Sequence, residues 1–185
     1  TADDKSRSSP VKIVDGGVAS VLIYSNASYF IKEDGSLWAM GHNHHGRMGH
    51  PSIDATFKTP VMVMEGGVHQ VAVGWAHHLV LKHDGSLWAV GKNDQGQLGD
   101  GTTEDRYAYV EIEESGVRKV AANNSQSFFI KEDGSLWAMG TNRQGRLGNG
   151  LSNGIQTTPA LIVSSGVIDV SAGSDHTLFV KSDGS

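Results

Sequence analysis

The sequence predicts an all-β fold, a partial β-propeller of about 50-residue repeats, and two recurrences support this prediction. The octet Asp-Gly-Ser-Leu-Trp-Ala-(Met/Val)-Gly occurs at 34–41, 84–91 and 133–140, and its first three residues return at 183–185. The four aspartates are therefore 50, 49 and 50 residues apart, a period typical of propellers and solenoids. Each period also holds four short β-type segments, the strand number of a propeller blade.

Each octet opens at a predicted β-hairpin. Apolar runs stand on both sides of the Asp-Gly pair in each complete octet, and Asp-Gly in such a setting favours a two-residue type I′ turn. Neither arm alternates apolar with polar residues, so we expect both faces of the hairpin to be covered by stacked sheets. Trp38, Trp88 and Trp137 are then expected to be core residues that pack between sheets.

Two further strands and one loop complete each predicted unit. The loop Gly-x-Asn-x-x-Gly-x-(Met/Leu)-Gly follows every octet and is expected to be fixed by one apolar side chain, Met48, Leu98 or Leu147. One strand is predicted to begin at the Gly-Val pairs at 17–18, 67–68, 116–117 and 166–167. The other is predicted at 10–14, 60–64, 109–113 and 159–163, with proline at the head of three copies, which fits a sheet edge because proline has no N–H to donate.

These elements predict a single repeat domain over residues 1–185. The repeats run approximately over 10–59, 60–108 and 109–158, with an incomplete copy at 159–185. Fifteen strands result: three four-stranded blades and an incomplete fourth, with the Asp-Gly turns on the same rim. A partial ring exposes an apolar blade face and unpaired edges. We therefore expect that two copies pair through their terminal blades or that the chain is part of a larger ring.

Composition excludes several classes of function. The net charge is −5 and the 15 basic residues are scattered, so nucleic-acid binding has no support. The absence of cysteine excludes disulfides, thiol chemistry and cysteine zinc sites. No apolar run reaches the length of a membrane span, and residues 1–5 lack the apolar core of a signal peptide. We treat the chain as soluble, leave its compartment open and predict no cofactor.

One group of residues has metal-ligand spacing: His42, His44, His45 and His50, within a single loop. Loop histidines can converge on zinc, nickel or copper. The equivalent loops of the other repeats carry unrelated polar residues at these positions, so a solvated loop is favoured over a metal site. A metal-assisted hydrolase that uses the His42–His50 loop stays as an alternative function. His77 and His176 are expected to cap turns through backbone hydrogen bonds.

Segments 67–78, 82–93 and 96–103 resemble the repeat of the regulator of chromosome condensation family in its bacterial style. The resemblance covers essentially the whole chain and recurs in register. It implies a seven-bladed propeller, of which about half is present here. Members of that family act as the exchange factor for the small GTPase Ran, as a plant UV-B photoreceptor, as ubiquitin-ligase modules and as inhibitors of β-lactamases, so the fold alone does not fix the function.

The favoured function is a non-enzymatic protein–protein interaction module with a protein partner. Exchange activity is disfavoured by the partial ring, and photoreception is disfavoured because only Trp75 lies outside the recurring Leu-Trp position. A second alternative, besides the hydrolase, is a structural or surface-adhesion segment of a longer bacterial repeat protein.

The turn after each Gly-Val strand is the least uniform part of the repeat, and a propeller places equivalent turns side by side around one end of its axis. We therefore expect partner-binding residues there: Tyr24, Ser25, Trp75, Ala76, Asn124, Ser125, Ser174 and Asp175. Trp75 and Tyr24 would be aromatic anchors, with Asn124 and Asp175 as polar contacts. In the resembled β-lactamase inhibitors this end carries the aromatic contacts. The alternative is that Trp75 and Tyr24 fill the mouth of the central channel.

Overall fold

The structure, a computed structural model, describes residues 8–185, which form three four-stranded antiparallel sheets and a two-stranded fourth. The first sheet contains β1 (Val18–Tyr24), β2 (Ala27–Lys32), β3 (Leu37–His42) and β4 (Thr56–Met64). The second contains β5 (Val68–Val73), β6 (His77–Lys82), β7 (Leu87–Gly91) and β8 (Arg106–Glu113). The third contains β9 (Val117–Asn123), β10 (Gln126–Lys131), β11 (Leu136–Thr141) and β12 (Ile155–Val163), and the fourth contains β13 (Val167–Ala172) and β14 (Thr177–Lys181). Short 3₁₀ turns lie at His44–Gly46 and Arg143–Gly145.

The predicted fold class is confirmed, with a correction at its first strand. Residues 10–14 do not form a strand, so the described chain has fourteen strands and not fifteen. The reason is that each sheet takes its fourth strand from the start of the following sequence repeat, where it pairs with the Leu-Trp-Ala strand. Within residues 8–185 no such strand lies beside residues 10–14.

The prolines of the outer strands are also placed differently from the prediction. Pro60 and Pro159 lie inside β4 and β12, four residues after each strand begins. The pairing with the neighbouring strand is irregular at both places, between the partners of Ala39 and Gly41 in the first sheet and at the equivalent position of the third. A proline is tolerated there because an interrupted ladder does not need its missing N–H.

The hairpins at the Asp-Gly pairs are confirmed, but the predicted turn type is wrong. In the first sheet the Gly35 N–H donates to the Lys32 carbonyl over 2.9 Å. Gly35 has a φ of 78°, whereas Asp34 does not have a positive φ. This is a type I turn followed by a left-handed glycine, a common longer hairpin connection. The Asp34 carboxylate stabilises it by accepting hydrogen bonds from the Ser36 N–H and hydroxyl over 2.9 and 2.6 Å.

The core lies between consecutive sheets, as the uninterrupted apolar strands predict. Three buried clusters follow one another: between sheets one and two, two and three, and three and four. The strand β6 is almost wholly buried because both of its faces are covered. Met48, Leu98 and Leu147 are 0 to 1 % exposed, which confirms that one apolar side chain fixes each glycine-rich loop.

The expected packing between sheets is found for Trp88 and Trp137 but not for Trp38, and all three rings are half-buried. Trp88 and Trp137 pack against the first and second clusters. Trp38 lies on the outer face of the first sheet, stacked on Phe30 with ring centres 6.2 Å apart. Each indole N–H donates to the serine of its own octet over 2.9 to 3.0 Å, and a lysine ammonium lies 4.5 to 5.0 Å from each ring centre. The leucine and the alanine that flank each tryptophan are completely buried.

The Asp-Gly turns lie on the same rim, as predicted, and each of the first three contacts the next sheet. The N–H of Val68 donates to the Gly35 carbonyl over 3.0 Å, and equivalent bonds join Val117 to Gly85 and Val167 to Gly134. We call this rim the Asp-Gly end. No helix among residues 8–185 has the length and apolar character needed to cross a membrane.

Candidate partner-binding face

The turns between the first two strands of each sheet meet at the end opposite the Asp-Gly end. We call this surface the turn face: Tyr24–Ala27, Gly74–His77, Asn123–Gln126 and Gly173–His176. The Trp75 N–H donates to the Asn124 carbonyl over 3.0 Å, and the Asn124 side-chain amide donates to the Ser174 carbonyl over 3.3 Å. The Tyr24 hydroxyl donates to the Asn123 side chain over 3.0 Å. These bonds connect the turns of all four sheets into one surface.

The backbone of these turns is tightly constrained. Ser25 and Asn124 have φ values of 53° and 43°, a left-handed conformation that tight turns require. In the second sheet the Gly74 N–H donates to the His77 carbonyl over 2.9 Å. A Cβ at Gly74 would lie 2.1 Å from the His77 ring, so only glycine fits there. The face is therefore a rigid platform for its side chains.

The structure brings the expected partner-binding residues together, and seven of the eight have surface access. Trp75 is the most prominent, with 44 % of its surface exposed. Ala76 is 1 % exposed, so its side chain belongs to the core and not to the face. The exposed members are Ser25, Trp75, Ser174 and Asp175, and the half-buried members are Tyr24, Asn124 and Ser125.

Trp75 is held from several sides although its ring is exposed. Its carbonyl accepts a hydrogen bond of 2.9 Å from the Arg47 guanidinium of the first sheet's loop. The Lys92 ammonium lies 5.0 Å from the ring centre, within the range of a cation–π contact. The His44 ring lies edge-on at 5.8 Å. An aromatic side chain that is fixed in place and still exposed can anchor a partner at little cost in conformational entropy.

Two buried histidines lie directly below this platform. His77 makes a 2.9 Å contact through Nε2 with the Ser127 hydroxyl of the third sheet, a side-chain contact between sheets that the sequence did not predict. His78 makes a 2.9 Å contact with the Tyr109 hydroxyl. Burial lowers the pKa of His77 to about 4 and that of His78 to about 3, because the charged imidazolium loses its hydration there.

The histidines of the 42–50 loop are divided among different contacts. His44 Nδ1 lies 3.3 Å from the Asp54 carboxylate, and His45 Nδ1 lies 3.4 Å from that of Asp105. His50 lies apart, packed against a phenylalanine ring at 4.5 Å. Within residues 8–185 no three histidine or carboxylate side chains are arranged to hold a metal ion. The geometry therefore gives the metal-hydrolase alternative no support.

Sequence reasoning missed Arg47, which joins the loop of the first sheet to Trp75. It also missed Arg146, the equivalent residue in the third sheet, which donates to the Ser174 carbonyl over 3.3 Å. The available signal was the phrase Gly-Arg-(Met/Leu)-Gly, which occurs in two of the three glycine-rich loops. The third loop has Gln97 at this position.

Comparison with known proteins identifies the repeat. The family described as Regulator of chromosome condensation (RCC1) repeat matches residues 34–81, 84–130 and 133–180. A second family of the same description matches residues 68–97. No curated protein sequence matches the chain.

Solved structures share the fold at low sequence identity. Human WBSCR16 superposes with a TM-score of 0.79 at 20 % identity, over 90 % of this chain and 45 % of its own. Yeast RCC1 (Prp20), in its complex with Kap60, gives 0.79 at 19 % identity, over 94 % and 43 %. Prp20p from Saccharomyces cerevisiae, in a study of its binding to Gsp1p and histones, gives 0.76 at 19 % identity, over 92 % and 44 %. The chain thus spans less than half the length of these structures.

Proposed function

Because the chain belongs to the RCC1 repeat family, we propose that it is a non-catalytic interaction module whose turn face binds a protein partner through Trp75. Propellers of this family commonly bind proteins, and the yeast relative is known in a complex with Kap60. The observation that carries the proposal is that Trp75 is fixed through its backbone to two neighbouring sheets while 44 % of its surface stays exposed.

The surroundings of Trp75 also have the composition of a binding hot spot. Hot spots are aromatic or arginine anchors ringed by polar groups that exclude water. Here Tyr24 and Asn124 lie on one side of the turn face, joined by a 3.3 Å hydrogen bond. Lys92 and His44 lie against the ring itself. Aromatic and polar contacts therefore alternate across a surface that needs no rearrangement before binding.

The first test places the photocrosslinking residue p-benzoylphenylalanine at position 75 and, as a matched control, at Met62. Met62 is similarly exposed, at 46 %, but lies on the outer strand β4. We expect position 75 to crosslink a discrete partner that position 62 does not. The affinity of that partner is then measured by calorimetric titration for the wild type, Trp75→Ala and Met62→Ala.

Trp75→Ala should weaken partner binding about 30-fold or more, the equivalent of about 2 kcal/mol for a hot-spot residue. Met62→Ala should bind like the wild type. Equal affinity of Trp75→Ala and the wild type would show that the partner does not use this face.

We propose in addition that the chain self-associates through its terminal sheets. Val21 and Ile23 on β1 are 70 and 76 % exposed, and Leu178 and Val180 on β14 are 67 and 44 % exposed. Burial of such surface is favourable at about 25 cal/mol per Å². Light scattering should show a concentration-dependent dimer that Leu178→Glu weakens and Met62→Glu does not. A monomer at all concentrations would contradict this proposal.

A further inference from the structure

We propose that the hollow between Arg47 and Trp75 binds a carboxylate, supplied by an acidic side chain of a peptide segment of the partner. The hollow has a volume of about 320 Å³ and lies between the first two sheets, at the turn face. Its lining is formed by Ser25, Asn26, His42, His44, Arg47 and Trp75. The inference rests on the proposed function, because it specifies the chemistry of the partner that the turn face binds.

The first step concerns the charge of Arg47. The residue is 3 % exposed, and its guanidinium donates through Nε to the His42 carbonyl over 3.0 Å and through Nη1 to the Trp75 carbonyl over 2.9 Å. A guanidinium has five N–H donors, so these two bonds leave Nη2 free. Among residues 8–185 no carboxylate forms an ion pair with Arg47. A buried charge without a counter-charge is unfavourable.

The chain contains its own matched comparison. Arg146 is the equivalent of Arg47 in the third sheet, and its Nη1 donates to the Ser174 carbonyl just as Nη1 of Arg47 donates to the Trp75 carbonyl. The Nη2 atom of Arg146, however, lies 2.7 Å from the Asp175 carboxylate. The residue equivalent to Asp175 is Ala76, which follows Trp75 as Asp175 follows Ser174. Arg146 therefore has a carboxylate partner within the chain, whereas Arg47 has none among residues 8–185.

The surroundings of the hollow favour a carboxylate that arrives with an apolar neighbour. Ser25 and Asn26 line the hollow and can donate to the second carboxylate oxygen. The exposed Trp75 ring offers an apolar surface beside the charge. The Asp54 carboxylate lies 3.3 Å from His44, a residue of the lining, and forms no ion pair with Arg47. A peptide with a leucine next to a glutamate has the matching chemistry.

The test uses two probe peptides that differ only in the carboxylate, acetyl-Leu-Glu-amide and acetyl-Leu-Gln-amide. Each is titrated into the ¹⁵N-labelled full chain at constant ionic strength, and the signals of the Arg47 Nε–H and the Trp75 indole N–H are followed. We expect the glutamate peptide to bind about 10-fold more tightly than the glutamine peptide, the size of one charge-assisted hydrogen bond.

Arg47→Gln should remove this preference, and it is a mild change because glutamine occupies the equivalent position 97. Arg146→Gln should keep the preference, since Asp175 already occupies that arginine. Equal binding of the two peptides to the wild type, or no binding of either, would overturn the carboxylate site. Neither result would affect the proposed function, which depends on the separate loss of partner affinity in Trp75→Ala.

Discussion

The two ends of the sheets differ in how uniform their sequences and contacts are. At the Asp-Gly end every sheet carries the same Asp-Gly-Ser turn, and each of the first three joins the next through the same backbone hydrogen bond, from the valine of a Gly-Val pair to the glycine of the turn. At the turn face no two of the four turns share a sequence, and the contacts between them differ from one pair of sheets to the next. The uniform end therefore fixes the stacking of the sheets, and the variable end is where this chain acquires its particular chemistry.

The two ends also differ in their ionisable groups and in the pH range over which those groups affect stability. At the Asp-Gly end hydrogen bonds from serine hydroxyls hold the pKa of Asp34 and Asp84 below the ordinary aspartate value. Below the turn face burial lowers the pKa values of His77 and His78. The aspartates affect stability only in strong acid, near and below pH 3.8, whereas the histidines act at milder pH. The contributions of the two ends to stability can therefore be distinguished by measuring stability at different pH values.

The largest expected effect is a loss of stability in mild acid that comes from the variable end. The folded-state pKa values of His77 and His78, about 4 and 3, lie below the ordinary value of 6.5. The unfolded chain therefore binds protons first, and stability is fully present above pH 6.5 and is lost as the pH falls toward 4 and then 3. Between pH 6.5 and pH 5 each histidine should cost about 1.5 kcal/mol of unfolding free energy, because the slope rises to about 1.36 kcal/mol per pH unit only below the unfolded pKa. Urea denaturation at several pH values measures this loss.

His77→Gln should roughly halve the loss, and glutamine is the chain's own residue at the equivalent position 126. The control is Met62→Gln, at an exposed position on β4, which changes no ionisable group and should leave the pH dependence unchanged. A pH profile that is flat down to pH 4 would contradict the assignment of acid sensitivity to the buried pair.

A smaller effect is expected from a single added methyl group at the uniform end. A Cβ at Gly134 would lie 2.7 Å from the backbone nitrogen of Gly166 in the next sheet, and the φ of Gly134 is 77°. Gly134→Ala should therefore destabilise the fold by about 2 to 3 kcal/mol, from backbone strain and from separation of the third and fourth sheets. Gly150→Ala is the matched control, because its φ is 81° but nothing lies within 4 Å of the added carbon. It should cost about 1 kcal/mol, and equal losses in the two variants would show that the contact between sheets contributes nothing.

The uniform end is also the part of the fold that the sequence predicts best. The recurrence of the octet predicts the hairpins and their common rim, and the glycine-rich loop that follows each octet separately predicts the burial of Met48, Leu98 and Leu147. The turn type was wrong because Asp-Gly alone does not specify how many residues the connection contains. The strand at 10–14 was wrong because a strand needs a partner. The equivalent strands β4, β8 and β12 each pair with a Leu-Trp-Ala strand, and residues 10–14 have no such neighbour among residues 8–185. Sequence periodicity identifies strands, whereas pairing decides which of them form.

The candidate site was predictable only as a location. The irregular turns indicate where the repeat varies, and the structure joins them into one surface. The roles of individual residues depend on distances between sheets that the sequence does not contain. Ala76 is buried although its neighbour Trp75 is exposed, and Arg47 reaches Trp75 from 28 residues away. The contrast between Arg47 and Arg146 becomes visible only when Asp175 is located next to one of them.

The smallest expected effect on stability is at Trp75, and it sharpens the comparison because the chain offers a second tryptophan in the same sheet. Trp88 packs against the core between the first two sheets, so Trp88→Ala should lower the unfolding free energy by about 3 kcal/mol, at the lower limit for a core tryptophan because the ring is only half-buried. Trp75 is 44 % exposed, and its hydrogen bonds to Arg47 and Asn124 use backbone atoms that Trp75→Ala retains. Its truncation should cost less than about 1 kcal/mol, the scale of the cation–π contact with Lys92 that is lost. Urea denaturation of both variants at pH 7 measures the difference.

If Trp75→Ala were as destabilising as Trp88→Ala, the ring would be a packing residue that closes the mouth of the channel, and the turn face would lose its proposed anchor.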